Sequence, residues 1–176
     1  MKKSLPAPKP SGLSTEKIHW FAESLAKALK LTHGAPLEPV VKRLNGTLVK
    51  KPPKSRSTIP DSSYIEVQED GRFTIFLSTF NFPLEERFTI AHELGHLFLH
   101  SFFGRHPIKA EHSGANENED AEIEAHKFAC AFLVPAKDLR IAVEGEIGRD
   151  SLAVAAHFMV PEYVALQRMK TLGFVQ

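Results

Sequence analysis

Apolar residues recur at three- and four-residue steps in most of this chain and alternate only near its middle. Ile18, Phe21, Ala22, Leu25 and Leu29 form one stripe. The spacing predicts a helix that starts at a Ser14 or Thr15 cap and runs to about Leu31. Gly34 and Pro36 interrupt, and a shorter helix through Val40, Val41 and Leu44 ends at Asn45-Gly46. Thr47 to Val49 reads as a short strand, and the basic, proline-rich stretch from Lys50 to Pro60 as a loop. Tyr64-Ile65-Glu66-Val67 and Phe73-Thr74-Ile75-Phe76-Leu77 read as two strands, with hairpin chemistry at Glu69-Asp70-Gly71-Arg72.

Helical spacing then returns at Leu84, Phe88, Ala91, Gly95, Phe98 and Phe102. Asn81-Phe82-Pro83 gives this helix its start, with Glu85 and Glu86 in the first turn. Ile90, Leu94, Leu97 and Leu99 add apolar residues to its other faces, so it is mostly buried. His106 to Asp120 is polar and reads as a mobile loop. A helix resumes near Asp120 and stops before Pro135, and short helices follow around Ala136–Val143, Ser151–His157 and Pro161–Leu172. There are no internal repeats. The pattern predicts an α+β fold: a mainly helical domain with a small, mostly antiparallel sheet and a C-terminal bundle of short helices.

The chain has 176 residues, 43% hydrophobic and 24% charged, which suits one soluble domain. That domain is expected over residues 13–176, behind a flexible tail at 1–12 marked by Pro6, Pro8, Pro10 and Gly12. Met1-Lys2-Lys3 is not followed by an apolar run, so no signal peptide is expected, and no stretch approaches a membrane span. A net charge of +1 argues against a dedicated non-specific nucleic-acid binder. Cys130 is the single cysteine, so no internal disulfide can form. It reads as a buried structural thiol, and its isolation fits a reducing compartment, here the cytoplasm.

The buried helix carries His92-Glu93-Leu94-Gly95-His96. Residues four apart share a helix face, so two imidazoles at this spacing can hold one zinc ion. The glutamate beside the first then lies near the metal as a general base. Hydrogen-bonded core histidines would be the alternative, and the spacing favours the metal.

A catalytic zinc needs a third protein ligand. His100 continues the histidine row, but at roughly 1.5 Å per residue it lies about 12 Å along the axis from His92. It reads as a residue supporting the ligands or closing the helix. The stretch Asp120-Ala121-Glu122-Ile123-Glu124-Ala125-His126 offers better donors. Glu122 shares a face with Ala125, Ala129 and Phe132; Glu124 shares one with Phe128 and Ala131. Glu122 is preferred and Glu124 stays open, as does the reading of both as solvated acids at a helix start. His126 reads as a surface histidine. A second oxyanion donor could come from His100, His106, His112 or Tyr64. The sheet edge near this helix could accept an extended peptide or be an ordinary paired edge.

Two other functions compete. A metal-holding module could act by binding alone, as a regulatory or toxin component of a toxin–antitoxin-like pair. Residues 149–172 could form a helix-turn-helix, but its basic residues are Arg149, Arg168 and Lys170, balanced by Asp150 and Glu162. Its Val, Ala and Phe content suits core packing, so direct nucleic-acid binding is not expected.

Arg87-Phe88-Thr89-Ile90-Ala91-His92-Glu93-Leu94-Gly95-His96, then Glu122-Ile123-Glu124-Ala125, Phe128-Ala129 and Leu133-Val134-Pro135, resembles the ImmA/IrrE metallopeptidases. Gly34-Ala35-Pro36-Leu37 with Leu44-Asn45-Gly46 is similar to the segment after that family's first helix. Ser151-Leu152-Ala153 through Phe158-Met159-Val160-Pro161, with Arg168 and Leu172, is similar to its C-terminal helices. The resemblance implies a zincin-like α+β peptidase with Zn2+ held by His92, His96 and Glu122, and Glu93 as the catalytic acid. It also implies a protein substrate, a helix-turn-helix (XRE-like) repressor or antitoxin. Cleavage would switch on prophage, mobile-element or stress genes. His126 and Pro161 depart from the family pattern, away from these residues.

Overall fold

Ser14 starts the first helix as expected: its Oγ accepts from the Lys17 backbone N–H at the head of α1 (Thr15–Ala28). The structure is a computed structural model describing residues 5–51, 63–79, 82–111 and 119–176. The helix stops before Leu31 because Lys30 turns into the left-handed region (φ 53°). Ile18, Ala22 and Ala26 form its fully buried line. After α2 (Glu38–Arg43), Asn45 at φ 68° turns the chain into β1 (Gly46–Lys51). Next come β2 (Tyr64–Val67), β3 (Phe73–Ser78), α3 (Pro83–Gly95) and a π-helical turn at His96–His100. A fourth strand, β4 (Ile108–Glu111), precedes α4 (Glu119–Leu133), α5 (Ala136–Glu144), α6 (Ser151–Phe158) and α7 (Glu162–Thr171).

The sheet runs β1-β3-β2-β4. β1 pairs parallel with β3, while β2 pairs antiparallel with both β3 and β4. The fold is thus α+β, mainly helical, around a small mixed sheet in which antiparallel pairing predominates. Ile65, Val67, Phe73, Ile75, Leu77, Ile108 and Ala110 share one sheet face and are buried in the core. On the opposite face Tyr64 stacks on Phe76, and Lys109 pairs with Glu66 at 3.6 Å.

Two expectations are corrected. The segment read as a loop from His106 to Asp120 begins with a strand: Ile108 and Ala110 alternate inward and are paired by β2, from which they are remote in sequence. Residues 112–118, the rest of that expected loop up to the start of α4, lie outside the described residues. The buried helix also does not run unbroken to Phe102. It widens at His96, where Ser101 N–H bonds the carbonyl five residues back, and Phe102 and Phe103 then take φ of 51° and 61°.

Residues 5–12, expected to be a flexible tail, are irregular but lie against the body. The Lys109 N–H on β4 donates to the Pro6 carbonyl, and Pro8 is buried. One hydrophobic core spans Ile18 to Phe174. α4 runs through it, packed on both α1 and α3. Among the described residues no helix is long and apolar enough to cross a membrane. Cys130 is buried, as read from sequence, and burial raises its thiol to about 12.

Arg168, one of the three basic residues of the possible DNA-binding stretch, is buried. It donates to the Val134 carbonyl, Glu23 and His19. Burial, with Arg168 and Lys127 nearby, pushes His19 down to about 4. An unfolded histidine titrates near ~6.5, so below that pH the unfolded chain binds a proton that the folded chain refuses. The stability His19 contributes is complete above that value and lost as pH falls toward 4. Replacing His19 with Gln should therefore make the urea midpoint fall less steeply over this window than in the wild type.

Candidate metal centre

Three side chains from two helices converge where α3 passes into the π-helical turn. His92 and His96 sit on one face, as their four-residue spacing requires, with their Nε2 atoms 3.2 Å apart. Glu122, in the first turn of α4, brings Oε2 to 3.1 Å from His92 Nε2 and Oε1 to 3.3 Å from His96 Nε2. Ligand atoms bonded at about 2.0–2.1 Å to a tetrahedral ion lie about 3.3 Å from each other. The observed spacing matches that edge length. Among the described residues this is the one group of three His, Cys, Asp or Glu able to share an ion.

Close approach of the two helices makes this possible. A Cβ on Gly95 would lie 3.0 Å from both the Cα and the carbonyl oxygen of Ala125. The α4 residues Ala121, Ala125 and Ala129 are all fully buried. With small residues on both sides, a short Glu122 side chain reaches across.

Burial suits the chemistry. His96 is wholly enclosed, and burial pushes it down to about 3 even though Glu122 pulls the other way. It is therefore neutral near pH 7, the form that ligates a metal. Glu93 is fully buried on the same helix, next to His92.

The other candidates separate cleanly. Glu124 does not reach the cluster; its Oε2 lies 3.0 Å from His100 Nε2. His100 is buried behind His96, with the two Nδ1 atoms 2.9 Å apart. Tyr64 is on the far face of the sheet, its hydroxyl 2.5 Å from Lys51 Nζ. His106 is exposed against Phe102. His126 is half-buried and meets Gln167 across 2.8 Å. His112 lies outside the described residues. Sequence reasoning gave no role to Ser11 and Gly12, whose backbone N–H groups donate to Glu124. No side-chain pattern marks such a contact.

No curated protein matches the sequence. Residues 46–170 match the family Peptidase M78, described as the IrrE N-terminal-like domain. The match begins at β1, ends within α7 and takes in both ligand-bearing helices. Motif, fold and clustered donors therefore agree, and the chain belongs to the Peptidase M78 family, metallopeptidases of the ImmA/IrrE type.

Proposed function

We propose that this protein is a zinc-dependent endopeptidase that cuts a helix-turn-helix (XRE-like) transcriptional repressor or antitoxin, relieving repression of prophage, mobile-element or stress genes. The supporting observation is the convergence of His92, His96 and Glu122 at 3.1–3.3 Å beside a buried Glu93. Two imidazole nitrogens and one carboxylate, with no thiolate, form a donor set used by catalytic zinc. Family membership supports peptide bonds as the target. The repressor substrate rests on the resemblance to ImmA/IrrE proteins. Nothing in the reading calls for contact with nucleic acid or membrane, and the cytoplasm is where such a substrate resides.

His92, His96 and Glu122 would hold the zinc, which when bound would supply Lewis acidity to a water and to the scissile carbonyl. Glu93 accepts the proton of the attacking water and delivers it to the departing amine, acting as base and then as acid. Glu122 would balance part of the ion's charge, and the neutral ring of His96 would serve as a donor.

Elemental analysis should find about one zinc per chain, and Glu122→Ala should lose most of it. Where a helix-turn-helix repressor is encoded beside its own gene, the loaded protein should cut it, with the fragments identified by mass spectrometry. No zinc after reconstitution would make the histidines structural. Zinc without cleavage would favour the binding module.

A further inference from the structure

The hydrogen-bonded chain does not end at the ligands. From His96 Nδ1 it passes to His100 Nδ1 at 2.9 Å, then from His100 Nε2 to Glu124 Oε2 at 3.0 Å. Glu124 accepts from the backbone N–H of Ser11 at 2.7 Å and of Gly12 at 3.0 Å. The donors can be assigned from the outer end inward. A carboxylate can only accept, so His100 must carry a proton on Nε2. In a neutral ring its Nδ1 is then the acceptor. His96 must in turn donate from Nδ1, which leaves the Nε2 lone pair free to face His92 and Glu122. The opposite assignment would set a bare His100 nitrogen against the carboxylate.

His100 closes the π-helical turn, in which the Ser101 N–H bonds the His96 carbonyl, and its ring meets that of His96 four residues earlier.

We propose that His100 and Glu124 are positioning residues for the metal ligand His96, and that the backbone of Ser11 and Gly12 anchors the outer end of this chain. The N-terminal segment thereby becomes part of the metal centre's support. This rests on the metallopeptidase reading of His96. A ligand histidine fixed through its second nitrogen keeps one ring orientation and one tautomer, and loss of such support typically weakens metal binding.

The test is zinc affinity of the full-length protein, measured by competition with a chromophoric chelator. Glu124→Gln and His100→Phe should each bind zinc about 10–100-fold more weakly. The double variant should bind no more weakly than His100→Phe alone, because both act through one chain. Ser11→Pro, which removes one donor to Glu124, should weaken zinc several-fold. In histidine-labelled wild type loaded with zinc, the His96 Nδ1–H should give a sheltered downfield proton signal that His100→Phe abolishes. If His100→Phe does not fold, Glu124→Gln and the wild-type proton signal decide. Wild-type protein that binds no zinc would remove the reading beneath this inference. Wild-type protein that binds zinc no more tightly than Glu124→Gln would overturn the inference alone, and an unchanged Ser11→Pro would remove the N-terminal segment from it.

Discussion

Replacing Glu93 with Gln should abolish measurable cleavage while leaving zinc in place. Glu93 is fully buried beside His92 and is not among the three side chains whose donor atoms converge. Gln preserves its shape but cannot take a proton from water or return one to the leaving amine. Acid–base groups contribute about 10²–10⁴-fold each, and this one serves in both directions, so the loss should be at the upper end, about 10³–10⁴-fold in kcat/KM. At about 1.4 kcal/mol per tenfold, that corresponds to roughly 4–6 kcal/mol of transition-state stabilisation. Stability should move the other way. A wholly buried carboxylate costs desolvation when ionised, and Gln carries no charge, so the variant should melt at or above the wild-type temperature. Zinc content, repressor cleavage and the melting curve measured on one preparation check all three. A zinc-loaded Glu93→Gln protein that still cuts would end the mechanism, whatever its stability.

What the sequence revealed was the part set by local periodicity. His92 and His96 share a face because a helix places residues four apart together, and the apolar residues around them marked that helix as buried. The hairpin of β2 and β3 announced itself through alternation and turn chemistry. Features decided at long range stayed hidden. β4 is four residues in a polar run, and only its partner β2 makes it a strand. Glu122 and Glu124 could not be separated by face because both face inward. With Ala125 pressed on Gly95, they lie about 60° to one side and about 100° to the other around α4. One carboxylate thus meets His92 and His96 and the other meets His100. No residue type announces the π-helical turn that carries His100. Ser11 and Gly12 meet Glu124 from more than a hundred residues away, through backbone groups common to every sequence.

Gly95, the unremarked residue inside His92-Glu93-Leu94-Gly95-His96, should prove as sensitive as the ligands. A methyl group there would stand 3.0 Å from the Ala125 Cα and carbonyl oxygen and 3.3 Å from its Cβ. The obstacle is mostly backbone, so no side chain can swing away, and the two helices must separate. Two effects compete in Gly95→Ala. A glycine inside a helix costs about 0.8–1.0 kcal/mol relative to alanine, which would stabilise the variant, while overpacking costs about 1–3 kcal/mol. The balance is about 0–2 kcal/mol of destabilisation, so Gly95→Ala should lower the melting temperature by a few degrees at most. Metal binding has no such offset. Any separation of α3 from α4 carries Glu122 away from His92 and His96, which now stand within 3.3 Å of it. Zinc affinity should therefore fall in Gly95→Ala even where stability does not. In Gly95→Val, two further methyls meet the same backbone and the β-branch is disfavoured in the helix. There the cost should reach roughly 3 kcal/mol, and zinc affinity should drop at least about tenfold. Thermal unfolding of the metal-free proteins, set beside chelator competition, separates the two effects. A Gly95→Val protein with wild-type zinc affinity would show that Glu122 is not held by the α3–α4 contact, and the account of how this site is assembled would fail.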